Sequence, residues 1–350
     1  MKIEILKIKK NNKFLNFLNR NKKQIFLSLI LVFVSIFFIK NSAHYINVAI
    51  QGILLYGTKI LPTLLPFLFV TKLLSNFDFI LTICNKFNFV SKFLFKTPPI
   101  SFYIFFMSVI SGYPVGAKLT SEFYDKGIIT SVDAQKILSF CSTSGPLFVI
   151  GSVGVGFFLS QKIGILLFVI HLISSVINGI IFGHIKKFKK NKQNNQKINT
   201  NNIRQNNVTI KNNSFSLDDC MYSSIRSVLV VGGFIIIFYV FIQILLDYNL
   251  LYPLTKLFEI LGLNATESQG FCAGLFEITK GISILSKSPN LKLAFCLSSF
   301  LISFSGISIL LQSITFLDKT NVNKKVFIFQ KFCHGLISLA LAYLVSLFIF

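Results

Sequence analysis

Motifs for metal binding and for disulfide bonding are absent from the sequence. None of its six cysteines stands in a CxxC pair, and its four histidines are scattered without the spacing of metal ligands. Free cysteines in apolar segments behave as small hydrophobic residues, and each histidine is more typical of a packed or interfacial position than of a ligand. The sequence therefore predicts no disulfide framework, no metal site and no cofactor.

Two common hydrolase motifs are absent as well. The chain contains neither HExxH, which places a zinc site on a helix, nor GxSxG, which presents a nucleophilic serine. Cys141 lies in an apolar segment and has no obvious basic partner in the sequence. We therefore expect that the protein is not an enzyme, and an intramembrane enzyme is the weakest of the function classes considered.

Acidic residues are scarce: 12 Asp and Glu stand against 35 Lys and Arg, which gives a formal net charge of +23. Segments 1–23 and 186–213 each hold eight Lys or Arg, with Glu4 as the one acid between them. Neither segment has the apolar content to fold into a nucleic-acid-binding domain. Both flank apolar runs, as cytoplasmic segments of membrane proteins do, so we expect no nucleic-acid partner.

Long apolar runs are what the sequence does contain. Hydrophobic residues make up 53% of the 350 residues, and the mean hydropathy is +0.69. Several continuous runs approach the length of about 20 residues that spans a bilayer. They predict an all-α, multi-pass integral protein of the cell membrane, in contact with the lipid bilayer. Continuous rather than alternating runs argue against a β-barrel.

The order of the runs predicts five regions. Residues 1–24 form a basic cytoplasmic N-terminus, and 25–43 form a first transmembrane helix, retained because no small-residue cleavage site follows it. Residues 44–185 and 216–350 form two membrane repeats. Between them, 186–215 is a basic, Asn-rich linker that we predict to be disordered and cytoplasmic.

Local signals predict helix ends and a kink. Pro62 and Pro66 predict that a helix in the segment that starts at His44 is kinked or begins at the prolines. Thr130–Asp133 and Thr266–Gln269 each predict a capping box. Residues 79–95 predict a short interfacial or amphipathic element.

One stretch, Ser111-Gly-Tyr-Pro-Val-Gly-Ala-Lys118, interrupts an apolar run that starts near Pro99. Irregular backbone inside a bilayer is tolerated only where protein or a water-filled cavity covers it, and a buried cation there indicates a functional site. The alternative is a packing kink, because Gly112-x-x-x-Gly116 is also the small-residue pattern of close helix contacts.

The unusual features of the chain occur twice. Gly112-x5-Lys118 recurs as Gly274-x5-Lys280, with the same offset for the glycine and for the lysine. Ser142-x-Ser-Gly145 recurs as Ser303-x-Ser-Gly306, at an offset that is shorter by a single position. A shared offset at several positions indicates an internal repeat.

Charge distribution then predicts that the repeats are inverted. With the N-terminus inside, the first repeat starts outside and ends at the basic linker inside, so it crosses an odd number of times. The loop 318–325 is rich in lysine and is predicted to be cytoplasmic, whereas the loop at Gln161 is nearly uncharged and is predicted to be outside. The C-terminus is then extracytoplasmic. Inverted repeats with broken helices are typical of secondary transporters, whose sites lie at the repeat interface.

The four breaks predict a site for a polar solute, built from exposed helix ends, hydroxyls, amides and charges. The candidate residues are Gly112, Tyr113, Pro114, Gly116, Lys118, Ser142, Ser144, Gly145, Glu277, Thr279, Lys280, Ser303, Ser305, Gly306 and Gln312.

Simpler alternatives remain open for these residues. Glu277 and Lys280, or Lys118 and Glu122, could pair along one helix face. The serines could bond to their own helix backbone.

These motifs resemble those of the YlbJ-type sporulation integral membrane proteins, which carry a nucleoside-recognition (Gate) domain. The matching stretches are Leu61–Phe67, Ser111–Lys118, Phe140–Phe148, Gly274–Gly281 and Ser303–Ser308 with Gln312. The chain departs from the family pattern within Ser142–Gly145, at Lys280, where the family tends to have Asn, and at Ser305, where it tends to have Gly. The resemblance implies a membrane role in spore formation; it brings no known substrate, although the domain name hints at a nucleoside-like solute.

Two functions follow from these observations. The first is a transporter-like protein that moves a small polar solute by alternating access, with a coupling ion. The alternative is a non-transporting membrane scaffold or assembly factor for the spore envelope or cortex. Both leave a homo-oligomer open.

Overall fold

The computed structural model describes residues 22–74, 86, 88–185 and 216–350. The basic N-terminus up to residue 21, residues 79–85 and 87 of the predicted element 79–95, and the whole of the predicted linker 186–215 lie outside the described residues. Every regular element within the described ranges is a helix.

Sixteen helices follow one another along the described chain. They are α1 Lys22–Lys40, α2 Ser42–Leu55, α3 Leu61–Leu74, α4 Asn88–Val90, α5 Ile100–Ser111, α6 Val115–Asp125, α7 Ser131–Cys141, α8 Leu147–Phe157, α9 Gln161–His184, α10 Leu217–Asp247, α11 Tyr252–Ile260, α12 Ala265–Phe276, α13 Ile278–Leu285, α14 Leu291–Phe304, α15 Gly306–Phe316 and α16 Lys324–Ile349. Wider π-helical turns, Tyr56–Ile60 and Ser91–Phe95, continue α2 into α3 and extend α4, and α8 is π-helical throughout.

Length and apolar composition identify the helices that can cross a membrane. Four stretches qualify among the described residues: Gln161–His184, Leu217–Asp247, Leu291–Phe316 and Lys324–Ile349. A fifth stretch consists of α4 with its π-helical turn and α5, which meet at 87° as a broken span or a re-entrant loop. The prediction of an all-α polytopic membrane protein with broken helices is confirmed.

The helix order repeats. The pair α2–α3 corresponds to α10, and α4 to α9 correspond one by one to α11 to α16. Contacts between the halves are reciprocal: α9 packs on α14 while α16 packs on α7, and α8 packs on α13 while α15 packs on α6. The equivalent helices α9 and α16 also pack on each other, as do α3 and α10. This pattern is what a two-fold relation between two repeats requires.

One of the two predicted capping boxes is confirmed and the other is wrong. The Thr130 hydroxyl accepts the Asp133 N–H at 3.1 Å, and the Asp133 carboxylate accepts the Thr130 N–H at 3.0 Å. In the second repeat the box begins before the predicted Thr266–Gln269. Asn264 caps α12 there, and Glu267 completes the box. Asparagine is at least as good an N-cap as threonine, and the buried Glu267 is also held by the Ser288 hydroxyl at 2.8 Å.

Helix α3 begins beside Pro62, one of the two predicted alternatives, and a π-helical turn precedes it. The backbone N–H of Leu61 bonds to the carbonyl of Tyr56, five residues back, rather than four. A proline at position 62 has no N–H to donate to the previous turn, and a wider turn is one way for a helix to accommodate this loss. The helix then continues through Pro66 to Leu74.

Gly116, a predicted site residue, is instead a packing position. A Cβ atom there would lie 1.6 Å from the backbone oxygen of Cys141 and 2.8 Å from the Ser108 hydroxyl. The first turn of α6 therefore rests directly on the C-terminal end of α7. For this glycine the packing alternative is the one that the structure favours.

We expect Gly116→Ala to destabilise the folded protein by more than the roughly 1–3 kcal/mol typical of an overfilled core, because the obstacle is backbone. Unfolding of the purified protein in mixed micelles measures the effect. Gly233→Ala on α10 is the matched control, since nothing lies within 4 Å of its Cβ position. Equal stability of the two variants would contradict this close packing.

Candidate functional site

The helix breaks meet at a cavity between the repeats, with about 810 Å³ of empty space including its mouth. Its walls come from both repeats and from the equivalent helices α3 and α10. The lining residues are Ile60, Leu64, Ile110, Ser111, Gly112, Tyr113, Ser144, Gly145, Leu147, Phe148, Ser152, Val231, Ile235, Glu277, Ile278, Thr279, Ser308, Ile309 and Gln312.

Within each repeat the two breaks touch through glycine. Gly112 has φ of +79°, and a Cβ on it would lie 2.6 Å from the backbone nitrogen of Gly145. In the second repeat Gly306 has φ of +71°, and its Cβ would lie 2.9 Å from the carbonyl oxygen of Gly274. The internal repeat in the sequence relates these two pairs, Gly112 to Gly274 and Gly145 to Gly306. Left-handed backbone at such close range favours a residue without a side chain.

Seven of the predicted site residues line the cavity: Gly112, Tyr113, Ser144, Gly145, Glu277, Thr279 and Gln312. The other eight lie outside its lining: Pro114, Gly116, Lys118, Ser142, Lys280, Ser303, Ser305 and Gly306. Several of these eight hold the breaks in place instead. Ser305, for example, links α14 to α15 with φ of +77°. That left-handed geometry gives a physical reason for the glycine that the family resemblance implies at this position.

Glu277 places a buried carboxylate on the cavity wall. It caps α13 by accepting the backbone N–H of Thr279 at 3.0 Å and of Lys280 at 2.7 Å. Glu277 therefore bonds to the backbone of Lys280 but not to its ammonium group, so the two side chains do not pair along the helix. The ammonium group donates to the Gln243 side chain at 3.0 Å and lies 4.9 Å from the centre of the Tyr239 ring.

The equivalent lysine of the first repeat, Lys118, is buried beside two charged side chains. Lys118 lines a small second cavity together with Lys72 and Glu122. Glu122 forms its ion pair with Lys72, at 3.1 Å, rather than along the helix with Lys118. Lys72 on α3 and Gln243 on α10 are equivalent positions, because the offset between them is the one that relates the cavity walls Ile60–Leu64 and Val231–Ile235.

A line of polar contacts leads from the Glu277 side of the cavity to the surface. Gln243, which accepts from Lys280, donates to Asp247 at 2.7 Å. Asp247 in turn contacts the exposed His44 at 2.9 Å. These contacts extend from α13, which Glu277 caps, to one end of the helix bundle.

The sequence analysis missed a fully buried lysine, which lies behind Tyr113. Lys331 on α16 is fully buried, and its ammonium group donates to the Tyr113 hydroxyl at 2.7 Å and to the Ser142 carbonyl at 2.8 Å. The same nitrogen lies 4.7 Å from the centre of the Tyr113 ring. Within the described part of the chain, no carboxylate forms an ion pair with Lys331.

Two buried histidines complete this group. His171 on α9 and His334 on α16 stack with ring centres 4.9 Å apart. His171 accepts the backbone N–H of Ser144 at 2.9 Å and contacts the Ser303 hydroxyl at 2.8 Å. The two histidines lie at nearly the offset that separates Gly112 from Gly274, so the internal repeat was a signal that could have identified them.

Comparison with known proteins identifies a curated relative. The chain is 29% identical over 302 residues to the sporulation integral membrane protein YlbJ of Bacillus subtilis (strain 168), a match that covers 81% of this chain and 73% of that protein. This similarity confirms the resemblance to the YlbJ-type proteins. No family model and no solved structure matches the chain, so the Gate domain and nucleoside recognition stay predictions.

We expect Glu277→Ala to lower the free energy of unfolding by about 0.5–2 kcal/mol, the usual effect of a lost helix N-cap, because two backbone N–H groups lose their acceptor. Unfolding in mixed micelles measures the change. Glu259→Ala on α11 is the control, since its carboxylate pairs with the half-exposed Lys256 and such pairs contribute little. Unchanged stability of Glu277→Ala would show that the carboxylate does not cap α13.

Proposed function

We propose that this chain, an integral membrane protein similar over most of its length to a sporulation protein, is a transporter-like protein needed for spore formation. It moves a small polar solute through the cavity between its two repeats by alternating access, in the cell membrane of an endospore-forming bacterium. The observation that carries the proposal is the cavity at which equivalent helix breaks of both repeats meet.

The chemistry of the cavity supports a solute with both polar and apolar parts. Most of the wall is apolar, and its polar groups are the Glu277 carboxylate, the Gln312 amide, the Tyr113 side chain, the Thr279 hydroxyl and four serine hydroxyls. Sites of this kind bind an apolar face and orient it through a small number of polar contacts. A nucleoside-like solute meets this description.

Contacts between distant segments support the inverted topology. His44 and Asp247 touch, and both lie in segments that inverted repeats place outside the cell. Asn321 donates to the Tyr124 hydroxyl at 3.0 Å, and both lie in segments that inverted repeats place inside. Lys118 and Lys280 then flank the cavity toward opposite sides, as alternating access between equivalent halves requires.

The same cavity does not favour an enzyme. Glu277 bonds to backbone N–H groups. Ser144, which lies next to His171, contacts that imidazole through its backbone N–H, whereas an activated serine nucleophile contacts its base through the hydroxyl. The protein is on this proposal a carrier, and the scaffold function becomes an outcome of the test below.

We expect Ile309→Trp to abolish function, because the indole would fill the cavity between α15 and the breaks. Heat-resistant spore yield in a Bacillus subtilis strain that lacks YlbJ, complemented with this chain, measures the effect, and the yield should fall at least tenfold. Leu311→Trp is the matched control, since Leu311 is exposed on the same helix. Both variants must accumulate in the membrane to the same level as the unchanged chain.

Normal spore yield with Ile309→Trp would show that the function does not need the cavity and would favour the scaffold. A scaffold should also bind spore-envelope proteins in a pull-down that neither tryptophan variant disturbs. Uptake assays with nucleosides as first probes follow only if the cavity variant fails.

We expect inverted repeats to give a defined labelling pattern. Single cysteines at Gln161 and Phe350, in a cysteine-free background, should react with an impermeant maleimide in intact cells, because both lie outside. Cysteines at Asn194 and Asn321 should react only after lysis. Protection of the cysteine at Phe350 would place the C-terminus inside and break the inverted arrangement.

A further inference from the structure

The buried group behind Tyr113 has no role in the proposed solute cavity, yet it touches two of the breaks that form it. His171 holds the Ser144 amide, and Lys331 holds the Tyr113 hydroxyl and the Ser142 carbonyl. Ser144 and Tyr113 both line the cavity. Ionisable side chains inside a membrane protein mark ion or proton pathways.

The hydrogen bonds fix the protonation of His171. A backbone N–H can only donate, so the Nε2 atom that accepts from Ser144 at 2.9 Å carries no proton. A neutral imidazole then carries its proton on Nδ1, which donates to the Ser303 hydroxyl at 2.8 Å. The arrangement in this structure is therefore that of neutral His171.

The bonds of Lys331 fit an ammonium group. Its three N–H groups have three acceptors: the Tyr113 hydroxyl, the Ser142 carbonyl and, at 3.4 Å, Nδ1 of His334. With Nδ1 accepting, Nε2 of His334 donates to the Ser174 hydroxyl at 3.0 Å. In this assignment Lys331 carries a positive charge and both imidazoles are neutral.

The titratable groups that face one another here come from three elements. Tyr113 comes from the break before α6, His171 from α9, and Lys331 with His334 from α16. The C-terminal ends of α7 and α14 present the Ser142 carbonyl and the Ser303 hydroxyl. Glu277 faces the same cavity as Tyr113 from the second repeat.

Protonation of His171 would break this arrangement. Its Nε2 would become a donor and would face the N–H of Ser144, so two donors would meet at hydrogen-bond distance. The break that carries Ser144 and Gly145 must then move, and with it the cavity wall. The Lys331 charge opposes the new positive charge, which lets the proton leave again.

We propose that the coupling ion is a proton and that His171 binds it. The proton enters Nε2 from water in the cavity, displaces the Ser144 amide and so changes access to the cavity; it returns to water on the other side when the amide rebinds. One proton is taken up and one is released per cycle, with no other reactant. This inference rests on the proposed transport function and names its ion.

The test follows access to the cavity as a function of pH. The full chain, with a single cysteine at the cavity position Ser152 in a cysteine-free background, is reconstituted in liposomes and labelled with a maleimide across the range from mildly acidic to mildly basic pH. Against this background we compare His171→Gln, which keeps a neutral hydrogen-bonding side chain, and His184→Gln. The control residue is exposed and bonds to its own helix, at Ile180.

We expect the labelling rate of the unsubstituted and His184→Gln chains to change with pH when it is divided by the rate of His171→Gln. The change is about tenfold if protonation shifts the equilibrium between accessible and inaccessible states by the free energy of one pKa unit. Comparison of variants cancels the pH dependence of the thiol itself. The same pH profile in all three chains would overturn the proposal.

A second measurement covers the case in which His171→Gln does not fold. Deuterium exchange at the imidazole C2 position of the unsubstituted chain, read by mass spectrometry, reports the titration of each histidine. Absence of any titration of His171 over the same pH range would overturn the proposal. If His171 titrates but Ile309→Trp gives normal spore yield, the proton site is supported and the proposed transport function is contradicted.

Discussion

The contact between paired helix breaks is the constraint on which the rest of the structure depends. A break at membrane depth frees backbone amides and carbonyls that lipid cannot satisfy, so another part of the protein must cover it. Here the breaks of each repeat cover one another, with Gly112 against Gly145 and Gly274 against Gly306. Only glycine allows two backbones to come this close. The cavity is the space that remains beside these two glycine contacts. Glu277 and Ser144 lie close to these glycine contacts in the sequence, so the contacts also position the helix cap and the Ser144 amide.

Much of this could be predicted because the breaks use residues that are rare in apolar spans. Glycine, proline and lysine in the Ser111–Lys118 stretch stand out against Ile, Leu and Phe, and the glycine and the lysine recur at a constant offset in the second half of the chain. The Thr130–Asp133 capping box could also be predicted, because its pattern lies within four consecutive residues. The second box was placed too late in the chain because Asn264 and Thr266 are both acceptable caps, and only the surrounding turn and the buried contacts of Glu267 decide between them.

What could not be predicted depends on partners that are distant in sequence. The cavity walls Ile60, Leu64, Val231 and Ile235 are aliphatic residues like many others in the chain, and nothing local distinguishes them. Lys280 bonds to Gln243 rather than to the nearby Glu277, because the N-terminus of α13 already occupies that carboxylate. The central lysine, Lys331, lies one helical turn from His334 in a final span that is mostly apolar, and its two shorter bonds go to acceptors in the other repeat.

The two stacked imidazoles hold equivalent places but unequal bonds. His171 takes a break amide of its own repeat, whereas His334 takes a lysine and a serine hydroxyl. A molecule with true two-fold symmetry would treat them alike, so the centre of this protein is where its symmetry is broken. The inequality of His171 and His334 thus shows that equivalent positions hold different groups: His171 holds a helix break, whereas His334 contacts the buried lysine.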